Sequence, residues 1–397
     1  MFDGDGKEHM SARPRLLIIT PDFPPAHGGI QLMAHRLAAG LSSFETRTVA
    51  LDAPGAARFD ADGELAVRRV RASAVPHAAR VALMNALALR EALSFRPEVT
   101  LSLHIVGAPA GVLIRSALGA PTVQIYHAKE IPVRPRLAAF AAERADVTIA
   151  VSPYCAELIA ATGARPRRLE LISPGVDIPN ADDATPLPAG RPTIVTIGRL
   201  QDRYKGHDVM LQALALVRER VPDVQWVVVG DGPLRAELER QARAGGVAGA
   251  ARFLGAVSNE ERNLWLRRAD LMAMPSRLPG GGEAGEGFGI AFLEAGAYGK
   301  PVVAGNVGGA LASVSDGESG LLVDPLDPRA VAAAIVELLR DRELAAKLGA
   351  GGAERARSFA WPVMVARVQE LLAELRACSA PGARGRGAHE RSSRAPA

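Results

Sequence analysis

The sequence predicts two doubly wound α/β domains, and three observations carry that prediction. Short apolar runs alternate with amphipathic helical segments along the whole chain, the signature of βαβ units and parallel sheets. The alternation lapses once, over residues 179–192, which are rich in Pro, Asp and Ala and without period, and then resumes. Glycine clusters fall where the second run of strands gives way to helices. A length of 397 residues with 48% hydrophobic content exceeds one ordinary domain and supplies apolar side chains for two cores.

The first strand reads at 15–20, followed by a loop over 21–29 and a helix near 30–41. Further strands read at 46–51, 99–103, 122–126, 147–151 and 169–172, with amphipathic helices at 79–94 and 153–162 between them. Beyond the linker the strands are expected at 193–197, 224–229, 252–254, 271–274 and 302–304. Helices are expected at 206–219, 233–244, 259–268, 290–298 and 328–339. A last helix spans about 361–377. The division expected is a disordered 1–13, a first domain 14–178, the linker 179–192, a second domain 193–360, a C-terminal helix 361–378 and a disordered tail 379–397. Ligands of such sheets lie at the C-terminal ends of the strands, and here in a cleft that the two domains face.

Composition narrows the chemistry. No window offers the roughly 18 uncharged apolar residues of a membrane span, and residues 1–13 lack the basic start and apolar run of a secretory signal, so a cytoplasmic protein is expected. Cys155 and Cys378 are too few and too far apart for a disulfide framework or a CxxC zinc site. A net charge of +4 suits an anionic ligand or membrane surface, and aromatic content of 4% leaves little for base stacking, so nucleic acid is not an expected partner.

Four elements of the second half carry candidate residues. Arg199, in Gly198-Arg199-Leu200, and Lys205, before Gly206, stand on either side of one βα loop and can both reach a diphosphate; the alternative is two solvated bases. Gly230-Asp231-Gly232-Pro233 begins like GxGxxG without its third glycine, and reads as a tight turn with a helix N-terminus at Pro233. The run 280–289 leads into a helix carrying Glu294. The glycines let the backbone come close to a ligand, and free N–H groups at the helix start attract phosphate, while Glu286 and Glu294 suit sugar and ribose hydroxyls or simply complement the helix dipole. Phe253 and Leu254 end a short strand whose backbone can hold a base edge, or be a buried strand end.

In the first half, Gly28 and Gly29 open a helix and form an anion site by the same logic. His127 follows a strand and can meet a reacting sugar, or be structural. A DxD triplet, Asp60-Ala61-Asp62, reads as a surface turn, so no metal or other cofactor is expected. Arg68, Arg69, Arg71, Arg134, Arg136, Arg165, Arg167 and Arg168 offer peripheral contact with anionic lipid, or an ordinary solvated surface.

Taken in order, Gly28-Gly29, Ser173-Pro174-Gly175-Val176-Asp177, Gly198-Arg199-Leu200 with Lys205-Gly206, and Glu286-Gly287-Phe288-Gly289 with Glu294 resemble family 4 of the retaining glycosyltransferases, over about residues 15 to 376. Seven residues separate Glu286 from Glu294, like the paired-glutamate motif of that family. Pro21-Asp22-Phe23-Pro24-Pro25, Gly28-Gly29-Ile30-Gln31 and the run Gly280–Gly282 look like its bacterial phosphatidylinositol mannosyltransferases.

The resemblance implies the GT-B fold, two Rossmann-like domains, with the helix from Trp361 crossing back to the first. It implies a hexosyltransferase moving a sugar, mannose from GDP-mannose favoured, from a nucleotide-diphosphate donor to an envelope lipid or glycan acceptor. Arg199 and Lys205 would neutralise the diphosphate, Gly287, Phe288 and Gly289 would add N–H contacts, Glu286 would hold sugar hydroxyls, and Glu294 the ribose. Gly28 and Gly29 would flank the diphosphate from the other domain, and His127 would contact the sugar near its reacting carbon. Lys129 stands where some relatives have a second histidine. A sugar-nucleotide epimerase and a non-catalytic sugar-nucleotide-binding protein on the same fold are the alternatives.

Overall fold

The computed structural model describes residues 13–72, 74–187, 190–280 and 284–379. Strands β1 (Arg15–Thr20), β2 (Glu45–Leu51), β3 (Val67–Val70), β4 (Val99–Ser102), β5 (Thr122–Tyr126), β6 (Val147–Ala150) and β7 (Leu169–Leu171) form one sheet, in the order β3-β2-β1-β4-β5-β6-β7. Strands β8 (Thr193–Ile197), β9 (Gln225–Val229), β10 (Ala251–Gly255), β11 (Leu271–Met274), β12 (Val302–Gly305) and β13 (Gly320–Val323) form the other, in the order β10-β9-β8-β11-β12-β13. The pairings β1–β2, β1–β4, β2–β3 and β4–β5 are parallel, as are all those of the six-stranded sheet.

The inner strands are apolar because both faces of each sheet are covered, while the edge strands β3 and β7 are partly exposed. Leu16, Leu17, Ile18 and Ile19 of β1 are all fully buried. In the second sheet the alternation of side chains divides them between two cores. Ile194, Trp226, Val228 and Ala273 pack with Met210, Leu214, Val331 and Ile335 from the helices His207–Arg220 and Pro328–Arg340. Val195, Val227, Met272 and Ala304 pack with Trp265, Leu266, Phe292 and Ala295 from the helices Asn259–Arg268 and Ile290–Ala297.

In both sheets the chain reverses its direction of strand addition once, between β1 and β4 and between β8 and β11. Loops leaving the C-terminal ends of strands at such a point diverge to opposite faces and open a crevice between them. The loop after β1 carries Gly28 and Gly29. The loops after β8 and β11 carry Arg199, Lys205 and Glu286.

By compactness, the described residues fall into two units. One holds those up to Ile125, Arg144–Thr148 and those from Val365 on, and the other holds Tyr126–Glu143 and Ile149–Met364. Gly28 and Gly29 belong to the first, and Phe253, Leu254, His127, Arg199, Lys205, Glu286, Gly287, Phe288, Gly289 and Glu294 belong to the second. The helix Trp361–Ser379 presents buried Trp361, Met364, Val368, Leu371 and Leu372 at helical spacing. Within the first unit its Arg376 donates to Glu98 at 2.7 Å.

Several elements were not foreseen, among them β3, β13 and the helices Ala56–Asp62, Ala108–Leu118, Pro135–Arg144 and Arg342–Ser358. The residues expected as linker include one helical turn, Ala181–Ala184, capped by the Asn180 side chain. No helix among the described residues is long and apolar enough to cross a membrane. Residues 1–12 and 380–397, on which most of the expected disorder falls, lie outside the described residues.

Candidate functional site

Local packing fixes the loop after β8. Gly198 N–H donates to Val229 O at 3.0 Å and Leu200 N–H to Asp231 O at 2.9 Å, laying this loop along the turn that follows β9. That approach explains Gly230 and Gly232: a Cβ on either would run into the carbonyl of Gly198 or Leu200. The glycines of the Gly230-Asp231-Gly232 turn therefore serve loop packing, and the helix beyond them begins at Arg235, two residues after the expected Pro233. Arg199 is exposed at the tip of the loop. Lys205 ends a 3₁₀ turn, Arg203–Lys205, and the left-handed Gly206 starts the helix His207–Arg220 with its Cα against the carbonyl of Pro275.

Lys205 and Glu286, distant in sequence, meet here. Lys205 Nζ donates to Glu286 Oε2 at 2.8 Å, with side-chain exposures of 12% and 16%. Its other neighbours are the Met274 sulfur at 4.0 Å and the face of Tyr204 at 5.5 Å. Burial, then the charge of Glu286, pushes the Tyr204 phenol far up, so it remains a neutral O–H group.

The backbone around Glu286 is anchored residue by residue. Tyr154 Oη accepts from Gly285 N–H at 3.1 Å, Gly309 N–H donates to Glu286 O at 2.8 Å, and Ser152 Oγ donates to Gly287 O at 2.6 Å. The His127 carbonyl occupies the place where a Gly287 side chain would start. The structure thus brings His127 and Gly287 together. His127 N–H is held by the buried carboxylate of Glu130 at 2.6 Å, Ala128 takes a left-handed φ of 91°, and Lys129 donates to Asp202 at 2.6 Å. A non-glycine residue in that conformation is strained, a feature that tends to collect at functional sites.

Phe288 is buried against Phe359, with ring centroids 5.5 Å apart. Gly289, at φ 92°, precedes the helix Ile290–Ala297, and no side chain caps the first N–H groups of that helix. One turn on, Glu294 accepts from Arg262 Nη1 at 2.9 Å, and Arg262 in turn leans on Asn263 Oδ1. Glu294 and Arg262 both line a cavity of about 260 Å³ with Asn259, Asn263, Tyr298 and Asp177.

Phe253 and Leu254 point into opposite cores of the second sheet, and Phe253 O already accepts from Arg235 at 3.1 Å. Gly28 precedes the helix Gly29–Gly40 at φ 156° with the Gln31 side chain folded over it. Gly281, Gly282 and Glu283 lie outside the described residues.

Two expectations need correcting. Asp60 and Asp62 sit in the helix Ala56–Asp62 and not in a surface turn. Asp60 grips Arg69 through two bonds, at 2.7 and 2.8 Å. Arg69, expected among the lipid-facing bases, is 3% exposed and also donates to Leu51 O and Pro24 O. Its guanidinium is spent on tying the loop ahead of Gly28 to β2 and on pairing the half-buried Asp60. Among the described residues no group of His, Cys, Asp and Glu is arranged to hold a metal ion.

Sequence reading missed Ser152, Tyr154, Arg262 and Gly309. Ser152 caps the helix Pro153–Ala161, and nothing in the sequence signals that its hydroxyl also reaches Gly287.

Comparison with known proteins identifies the family. The family model described as glycosyl transferases group 1 matches residues 177–355, and that of glycosyltransferase family 4 matches residues 27–179. The GDP-mannose-dependent alpha-(1-6)-phosphatidylinositol monomannoside mannosyltransferase of Mycobacterium tuberculosis is 33% identical over 384 residues, covering 90% of this chain and 98% of that protein. The D-inositol 3-phosphate glycosyltransferase of Corynebacterium urealyticum is 37% identical over 226 residues, 52% of this chain and 51% of that one. Among solved structures, sucrose-phosphate synthase from Thermosynechococcus elongatus superposes with a TM-score of 0.77 at 22% identity, covering 92% of this chain and all of the other.

Proposed function

The chain belongs to glycosyltransferase family 4 and is a glycosyltransferase of the GT-B type, and from that premise we propose that it moves mannose from GDP-mannose to an envelope lipid or glycan acceptor, with retention at the anomeric carbon and without a metal. The observation that carries the reading is the Lys205–Glu286 pair beside the uncapped start of the helix Ile290–Ala297. A cation and free N–H groups suit the diphosphate, and a carboxylate suits sugar hydroxyls. The mycobacterial relative, named as GDP-mannose-dependent, supports the choice of donor.

In this reading the diphosphate takes Lys205 away from Glu286 and draws in the exposed Arg199, while Glu286 turns to the sugar. Stabilising the departing diphosphate is the largest electrostatic demand of the reaction, and Arg199, Lys205 and the helix N-terminus answer it. The leaving diphosphate accepts the proton of the attacking hydroxyl on the face from which it departs, and His127 orients the sugar near the reacting carbon. Glu294, held by Arg262, takes the ribose hydroxyls at the mouth of the cavity. Gly28 and Gly29 add a second anion site. The enzyme works in the cytoplasm, in peripheral contact with anionic membrane.

The test is a thermal-shift panel of GDP-mannose, UDP-glucose, UDP-N-acetylglucosamine, GDP and UDP on wild type and Glu294→Ala. GDP-mannose and GDP should raise the wild-type midpoint, and the shift should shrink in the variant. A larger shift with a uridine nucleotide would overturn the donor. Mannosyl transfer should survive a chelator; activity lost with chelator and restored by Mg²⁺ or Mn²⁺ would overturn metal independence.

A further inference from the structure

We propose that Ser152 and Tyr154 are positioning residues for Glu286, acting through the backbone on either side of it. The inference rests on the reading of Glu286 as the group that holds the donor sugar.

Ser152 is the N-cap of the helix Pro153–Ala161: its Oγ accepts from Cys155 N–H at 3.0 Å. Capping needs only an acceptor, and Asp would serve as well as Ser. The hydroxyl proton is surplus to that role, and it goes to Gly287 O at 2.6 Å. Both assignments are unambiguous, because an amide N–H only donates and a carbonyl only accepts. Two residues on, the Tyr154 hydroxyl accepts from Gly285 N–H at 3.1 Å. One helix start therefore grips the residues immediately before and after Glu286. Between the two grips, Glu286 O accepts from Gly309 N–H at 2.8 Å. The loop cannot slide towards His127, whose carbonyl fills the space beside the Gly287 Cα.

A carboxylate on a glycine-flanked loop would otherwise sample many directions. Fixing its neighbours fixes its Cα–Cβ direction, leaving only side-chain rotation between the Lys205 Nζ contact, 2.8 Å from Oε2, and the sugar. Positioning of this kind lowers the ordering cost that binding would carry.

The experiment measures the affinities of GDP-mannose and of GDP by calorimetry. The proteins are wild type, Ser152→Thr, Ser152→Asp, Tyr154→Phe and Glu286→Ala. Ser152→Thr keeps cap and donor and should bind GDP-mannose within about twofold of wild type. Ser152→Asp keeps the cap and loses the donor, and Tyr154→Phe loses the acceptor; each should weaken GDP-mannose about five- to tenfold, the scale of one hydrogen bond. GDP lacks the sugar that Glu286 holds, so its affinity should stay unchanged in the Ser152 and Tyr154 variants. Equal losses for GDP and GDP-mannose would mean general damage to the loop and overturn the proposal, as would unchanged GDP-mannose affinity in both Ser152→Asp and Tyr154→Phe. Glu286→Ala separates the two levels. If it fails to weaken GDP-mannose relative to GDP, the reading of Glu286 is wrong and the inference falls with it. If it does weaken GDP-mannose while Ser152→Asp and Tyr154→Phe do not, the inference alone is wrong.

Discussion

His207 begins the helix next to Lys205 and is buried, with neither ring nitrogen hydrogen-bonded among the described residues. Burial, reinforced by the charge of Lys205, lowers its pKa from 6.5 to about 4. The folded state therefore refuses a proton that the unfolded state accepts between pH 6.5 and pH 4. Where the unfolded state binds more protons, stability rises with pH. The native advantage is whole above pH 6.5 and falls away as pH drops towards 4, by about 3 kcal/mol in all. Urea unfolding of wild type and His207→Gln at pH 7.5 and pH 5 measures it. Wild type should lose about 2 kcal/mol more than the variant over that interval. Parallel losses would show that His207 titrates as it does in the unfolded chain. The loop carrying Arg199 and the helix carrying Glu294 were legible from sequence, because apolar strands and glycine-rich turns mark where they begin. The partners Arg262 and Ser152 were not, since a surface-like arginine and a helix cap look the same whether or not they touch a site.

At the scale of elements, the turn after each strand decides what the site can hold. Long apolar strands and strongly amphipathic helices were readable because burial dictates their period. The strand β3, Val-Arg-Arg-Val, and the helix Ala56–Asp62 were not, being short, polar and dependent on the Arg69–Asp60 contact between them. The same holds for loops: glycines could be recognised as permissive, but what each one makes room for is a tertiary fact. Gly206 and Gly246 illustrate the difference. Both have positive φ, 74° and 68°, so an alanine at either meets the left-handed penalty of about 1–2 kcal/mol. Around Gly246 a Cβ would meet nothing within 4 Å, whereas at Gly206 it would strike the backbone carbonyl of Pro275. Gly206→Ala should therefore cost at least about 1 kcal/mol more than Gly246→Ala in urea unfolding. It should also weaken GDP-mannose binding by moving Lys205, which Gly246→Ala should not. Equal destabilisation by the two would mean the turn after Lys205 yields without resistance.

For the whole molecule, the two-sheet architecture was legible because the lapse at 179–192 separates two complete runs of alternation. Surface function was less so, because a count of arginines does not say which remain on the surface. Of the eight bases considered for lipid contact, Arg69 is buried on Asp60 and Arg168 bonds Glu170 at 2.8 Å. Arg134 and Arg136 are exposed at the junction of the helices Glu130–Val133 and Pro135–Arg144, where Val133 is also 65% exposed. An exposed apolar side chain flanked by cations is suited to the boundary of an anionic membrane, each basic residue near such a surface adding about 1 kcal/mol. Flotation with vesicles of phosphatidylglycerol and phosphatidylcholine, against phosphatidylcholine alone, checks this. The protein should float with the anionic vesicles only, binding should fall as salt rises from 50 to about 300 mM because charges beyond a Debye length are screened, and Arg134→Glu with Arg136→Glu should reduce it more than Arg165→Glu with Arg167→Glu. Binding that ignores lipid charge would remove the peripheral-membrane reading. Binding that is lost equally with either pair would leave membrane attraction to the net charge of +4 and not to this junction.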